Sequence, residues 1–161
     1  MGMNGWSEGD QAVMRIALAG AQKAADENEV PVGAIVVVAD QVIGRGYNRS
    51  IQDHDPSAHA EIIALREAGQ SKQNYRLVGA TMFVTLEPCT MCVGALIQAR
   101  IARVVFGAYD QKAGALGSVI DLSAERQLNH RFEVNGGLLG DECSALLQEF
   151  FAAKRAGDSP G

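Results

Sequence analysis

Thr81-Met82-Phe83-Val84-Thr85-Leu86 is followed by Pro88, by a segment from Cys89 to about Arg100, and by Arg103-Val104-Val105-Phe106. The outer runs are short and rich in β-branched and aromatic residues, which predicts strands, and Pro88 opens a helix between them. Gly107 is expected to end the second strand. Toward the N-terminus, Ala34-Ile35-Val36-Val37-Val38 is a continuous apolar run that suits a strand buried on both faces. Asp40-Gln41 can turn the chain into a second strand, Val42 to Tyr47, making a hairpin. Ahead of it, Val13, Ala17, Ala21 and Ala24, with Ile16 alongside, recur at helical spacing between about Glu8 and Glu27. Asn48 to Pro56 is polar and reads as a loop, and Ser57 is the expected N-cap of a helix running to about Gly69. Beyond a glycine-bearing loop, Ala108 to Ser123, a short strand is expected near Phe132-Glu133-Val134. A closing helix follows from Asp141 to Arg155. Helices alternating with strands after an opening hairpin predict an α/β fold, a three-layer α/β/α sandwich around a five-stranded mixed sheet. With no linker or compositional break, residues 1–161 read as a single domain, with residues 1–7 and 157–161 as frayed tails.

Apolar residues make up 47% of the chain and charged residues 20%, enough for a real core and too apolar for disorder. A net charge of −5 gives no overall attraction to nucleic acid, so a nucleic-acid partner must be held by a local basic patch. Three cysteines, an odd number, point to metal or redox chemistry rather than a disulfide framework. The N-terminus lacks the basic and apolar regions of a secretory signal, and Trp6 breaks the myristoylation pattern. The longest purely apolar stretch, Ala34 to Ala39, is too short to span a bilayer. The expectation is a soluble, cytoplasmic protein without a membrane partner.

The informative residues are His59-Ala60-Glu61 at one expected helix start and Pro88-Cys89-Thr90-Met91-Cys92 at another. Zinc favours thiolate and imidazole ligands in a tetrahedron. A C-x-x-C turn at a helix N-terminus presents two sulfurs on one side, and the helix end favours their thiolate form. His59 supplies a third ligand, which leaves one position for water, the mark of a catalytic zinc. Zinc lowers the pKa of such a water to roughly 7, and Glu61, two residues from His59, is the candidate proton carrier. Residues two apart on a regular helix face different ways, so His59 and Glu61 can converge only on a metal lying off the helix end.

H-x-E…P-C-x-x-C is the general signature of zinc deaminases. Beyond it, the sequence resembles the bacterial tRNA-specific adenosine deaminases from about residue 8 to 155. The resembling stretches are Glu29-Val30-Pro31-Val32-Gly33-Ala34, Tyr47-Asn48-Arg49, His54-Asp55-Pro56, Ala58-His59-Ala60-Glu61-Ile62 and Asn74-Tyr75-Arg76-Leu77. They continue with Thr85-Leu86-Glu87-Pro88-Cys89, Val104-Val105-Phe106-Gly107-Ala108, Asn129-His130-Arg131 and Asp141-Glu142-Cys143. The resemblance implies a cytidine-deaminase-like fold, one zinc per subunit, and a homodimer whose partner helps shape a site for a tRNA anticodon stem-loop. It implies that Asn48 hydrogen-bonds the flipped-out base, that Val30 and Leu86 wall its pocket, and that Asp110 and Lys112 contact anticodon nucleotides. Glu149-Phe150-Phe151 with Lys154-Arg155 resembles the family's RNA-facing end, though some relatives carry longer basic tails. The implied reaction converts wobble adenosine to inosine: hydroxide attacks C6 while Glu61 carries protons to N1 and to the departing amine.

Plainer readings stand beside these. C-x-x-C also occurs in redox dithiols and structural zinc sites, and a lone His-x-Glu is usually just a helix start; their joint occurrence in this order, with Pro before the first Cys, favours the zinc-deaminase reading. Cys143 reads as a small buried apolar residue. His54 reads as solvated, and His130 as bonded to backbone at a strand edge. Arg49, Lys112, Lys154 and Arg155 are either RNA contacts or solvated surface charges. Phe150-Phe151 reads first as core or dimer packing and second as a base-stacking surface. Two other functions stay open at this level: a deaminase of free cytosine, guanine or nucleosides, and a non-catalytic zinc- or RNA-binding module.

Overall fold

The computed structural model describes residues 5–157. Helix α1 (Glu8–Asp26) starts at Ser7, whose side chain accepts the Asp10 N–H at 2.9 Å. This N-cap satisfies one of the donors that a helix start leaves open. Met14, Ala17, Ala21 and Ala24 form its buried stripe, in the expected spacing. Strands β1 (Gly33–Val38) and β2 (Gln41–Tyr47) pair antiparallel. The turn lies at Ala39-Asp40, one residue earlier than expected, and both residues take positive φ, which matches the twist of a two-residue hairpin.

Helix α2 (Ala60–Lys72), strand β3 (Thr81–Leu86), helix α3 (Thr90–Gln98) and strand β4 (Arg103–Ala108) follow. After a short 3₁₀ turn at Leu122–Ala124 come strand β5 (Glu133–Gly136) and helix α4 (Gly140–Gly157). The sheet order is β2-β1-β3-β4-β5. β1 runs antiparallel to both β2 and β3, whereas β3–β4 and β4–β5 are parallel. The sheet is therefore mixed, as read from the sequence.

Two apolar cores cover its faces. Ala34 and Val36 pack with Ala60, Ala64, Val93, Leu96 and Phe106 on the side of α2 and α3. Ile35, from the alternate positions of the same strand, packs with Met14, Ala17, Phe83 and Val105 on the side of α1. That is why the run at residues 34–38 is apolar throughout rather than alternating. α4 packs on β4 and α1, completing the second outer layer.

Close approach of α2 to the sheet positions the site. Its buried face is a ladder of alanines, Ala60, Ala64 and Ala68. This ladder lies directly on Gly44 and Gly46 of β2, where any Cβ would strike helix backbone. On the other face, Cys143 lies against Gly107 and is buried, which agrees with its reading as a packing residue.

Several boundaries differ from expectation. α2 begins at Ala60 with His59 as its N-cap, not at Ser57. The Ser57 N–H and Oγ both donate to Asp55 Oδ1, at 2.9 and 2.7 Å, so its side chain closes a local turn instead. β4 runs through Gly107 to Ala108, because Leu86↔Ala108 extends its pairing with β3. β5 starts at Glu133, leaving Phe132 as a buried residue before it. Of the expected frayed ends, residues 1–4 and 158–161 lie outside the described residues. Trp6 packs against the second core, and Ser7 is the cap already noted. No helix among the described residues is long and apolar enough to cross a membrane.

Candidate active site

Two helix starts face each other at the ends of β2 and β3. β3 runs through Leu86, Glu87 and Pro88 into Cys89, the N-cap of α3, and places Cys92 in its first turn. His59 caps α2 in extended conformation without a side-chain capping bond, so its ring is available to a ligand. Glu61 sits in the first turn of the same helix. The expected requirement that any shared metal lie off the helix ends is therefore met by the backbone.

His59 Nδ1 lies 3.6 Å from Cys89 Sγ and 3.5 Å from Cys92 Sγ. All three donor atoms fall within 4.8 Å of one another, the one such group of metal-ligating side chains among the described residues. Zinc bonds of about 2.0–2.1 Å to nitrogen and 2.3 Å to sulfur, at tetrahedral angles, set N and S apart by about 3.5 Å. The residues fit zinc in both chemistry and spacing, with Nδ1 as the imidazole donor.

The electrostatics agree. A hydrogen bond from Cys92, and then one from His59, holds the Cys89 thiol down at about 4. Cys92 moves far up from the ordinary thiol range, because it donates that bond and is buried. His59 is raised, first by its bond to Cys89. Glu61 is 4% exposed, and loss of hydration pushes its carboxyl up to about 7.

Asn48 follows β2 and accepts the Ala60 N–H through Oδ1 at 2.8 Å, while its own N–H donates to the Val32 carbonyl at 3.1 Å. It therefore caps α2 from outside, next to His59 and Glu61. Val30 and Leu86 are partly buried at the edge of the core on this side of the sheet. Arg49 is drawn into its own loop, pairing with Asp53 at 3.2 Å and with the Tyr47 hydroxyl at 3.0 Å. Asp110 Oδ1 accepts the N–H groups of Lys112 and Ala113 at 3.0 and 3.1 Å, and Lys112 is exposed. Phe151 is 44% exposed, so core packing does not describe it, and Phe150 meets it edge-on at 5.4 Å. Both stand on α4 with Arg155, in the layer opposite α2 and α3. His130 Nε2 meets the Ile101 carbonyl at 2.7 Å, the backbone role expected for it. His54 sits exposed in its loop.

Sequence reasoning missed two buried carboxylates. Glu29 accepts the N–H groups of Ile51 and Gln52 at 3.2 and 2.9 Å, tying the Asn48 loop to the end of α1. Glu87 gathers the loop that carries Asp110. The available signal was an acidic residue beside apolar strand ends. Apart from the Ser118 hydroxyl on Glu87, the partners are backbone groups, which leave no mark in a sequence.

The sheet and this cluster define a zinc-binding deaminase domain: residues 7–108 match the family model of the cytidine and deoxycytidylate deaminase zinc-binding region. The tRNA-specific adenosine deaminase of Haemophilus influenzae is 51% identical over 150 residues, covering 92% of this chain and 87% of that protein. That of Bacillus subtilis is 41% identical over 146 residues, covering 91% of each. A solved structure of a tRNA:A34 deaminase, studied for A-to-I editing at the wobble position of transfer RNA, superposes with a TM-score of 0.81. It is 41% identical and covers 83% of this chain and 97% of that one. The chain belongs to the tRNA-specific adenosine deaminase family.

Proposed function

We propose that this protein catalyses the hydrolytic deamination of adenosine to inosine at the wobble position of a tRNA anticodon loop, releasing ammonia. His59, Cys89 and Cys92 hold one zinc ion per chain in this reading. The observation that carries it is the tetrahedral spacing of Nδ1 and the two sulfurs beside a buried carboxyl. Bound there, zinc supplies a Lewis acid that lowers the pKa of a water to about 7.

The chain's own residues do the rest. Glu61, a buried carboxyl beside the ligand cluster, takes a proton from water and delivers it to N1, then takes the proton of the oxygen added at C6 and delivers it to the amine, which leaves as ammonia. Asn48 has its oxygen engaged by Ala60, which orients the amide so that its NH₂ group is the part left for the base. Val30 and Leu86 wall the base pocket. Asp110, Lys112 and Arg49 contact neighbouring nucleotides, and Phe151 and Arg155 meet RNA from α4 in the other layer, so attraction is local on a chain of net charge −5. C6 is unreachable in a stacked helix, and an anticodon loop presents it at little cost. The protein acts as a single domain in the cytoplasm, as a homodimer whose second copy completes the RNA surface.

A closed, non-catalytic zinc module needs a fourth protein ligand. Cys143 is excluded from that role by its burial against Gly107 on the far face of the sheet. The zinc-loaded protein is incubated with an anticodon stem-loop and, separately, with free adenosine, cytidine and guanine. Inosine at the wobble position is the expected product; deamination of the free compounds alone would overturn the assignment.

A further inference from the structure

Glu87 immediately precedes the Pro88-Cys89 ligand turn and is 2% exposed. Among the described residues it enters no ion pair within 4 Å. A buried carboxylate is tolerated when hydrogen bonds replace its lost hydration. Here four donors do so, all from one loop. Oε1 accepts the Asp110 N–H at 3.1 Å and the Ser118 hydroxyl at 2.5 Å. Oε2 accepts the Leu116 and Ser118 N–H groups at 3.0 and 3.1 Å. The carboxylate thus holds the start and the end of the 110–118 loop at once. Two backbone bonds add to it, Glu87 N–H to Ala108 and Ala115 N–H to Pro88, at 2.8 and 2.9 Å. Gly114 lies so close that a Cβ there would strike the Glu87 carboxylate, so the loop is shaped around that group. Asp110 in turn caps the backbone of the turn bearing Lys112.

We infer that Glu87 is a positioning residue for the substrate: its carboxylate is the anchor that fixes the 110–118 loop, with Asp110 and Lys112, relative to the Cys89–Cys92 turn. The zinc ligands and the RNA-contacting loop are then one hydrogen-bonded unit, so a base entering the pocket and its neighbours are held in one frame. The inference rests on the RNA-acting function proposed above.

Glu87→Gln keeps the shape but turns one acceptor oxygen into an NH₂ group facing N–H donors. Hydrogen bonds to a charged group carry enough stabilisation that their loss is expected to raise KM for an anticodon stem-loop about 10- to 100-fold. The expected kcat stays within about threefold and the zinc content at one per chain, because no ligand or proton carrier is touched. In an Asp110→Ala, Lys112→Ala background the same substitution is expected to change KM by less than about threefold, since its effect passes through those residues. A role confined to stability would lower thermal stability and the active fraction, leaving KM unchanged in both backgrounds; that result overturns the inference. Should Glu87→Gln fail to fold, Ser118→Ala, which removes one of the four donors, is read in the same cycle by the same criterion. If the unaltered protein forms no inosine in RNA, the function fails and the anchor is judged alone by amide exchange. Protection at Leu116 and Ser118 must then drop at least about tenfold in the variant, and retained protection overturns it.

Discussion

Replacing Asn48 by Ala separates two duties carried by one side chain. Its Oδ1 receives the Ala60 N–H at 2.8 Å, and Ala60 is wholly buried. The loss combines a missing helix cap with a backbone donor deprived of its partner, about 1–2 kcal/mol in all. For a chain of this size such a change lowers Tm by roughly 2–8 °C. Asn48→Asp keeps an acceptor and places a negative charge at a helix N-terminus, so its Tm is expected to match or exceed the parent. Yet Asp offers the base no amide donor, so deamination falls in both variants. Calorimetry of the zinc-loaded proteins, with inosine formation measured in parallel, makes the comparison. An Asn48→Asp protein as unstable as Asn48→Ala, or an Asn48→Ala protein with unchanged Tm, would refute the capping argument.

Three other perturbations have defined outcomes. Glu61→Ala is expected to retain zinc while losing at least about 10²-fold in turnover, and near-normal inosine formation would remove Glu61 from the mechanism. In metal-free protein, the Cys89 thiol, held down at about 4, is expected to be ionised throughout the range from pH 5.5 to 8, whereas an ordinary thiol with a pKa of 9.0 ionises tenfold more with each pH unit. Alkylation of Cys89 is therefore expected to be nearly pH-independent from 5.5 to 8 and to be blocked by zinc, while Cys143, buried and pushed up to about 12, stays unmodified. Gly46→Ala drives a methyl group into the backbone of α2 at Ala60 and Ala64. It is expected to cost about 2–3 kcal/mol and to weaken zinc retention against a chelator, because the strained helix carries His59.

Much of this architecture was legible because its signals are local. The apolar run at residues 34–38 announces a strand covered on both faces, and β1 does lie inside the sheet with a core on each side. The two motifs sit at helix starts because Pro88 and the polar loop before His59 mark boundaries, and the convergence of donors follows from those boundaries. What escaped was set by partners that the local pattern does not single out. Ser57 has every feature of an N-cap, but Asp55 claims its hydroxyl and the helix starts at His59 instead. Glu29 and Glu87 look like ordinary acidic residues until backbone N–H groups from 22 to 31 positions away close around them. Asn48 was assigned to the base on resemblance, and only the fold gives it a second partner in Ala60.

The proposed chemistry requires three side chains that hold one zinc and leave it open to solvent. X-ray absorption of the zinc-loaded protein, with the metal quantified in the same sample, addresses this directly. One zinc per chain, with two sulfur neighbours, one imidazole nitrogen and a light atom exchangeable with solvent or small anions, is the expected result. A chain that binds no zinc, or a zinc enclosed by four protein donors, would contradict it.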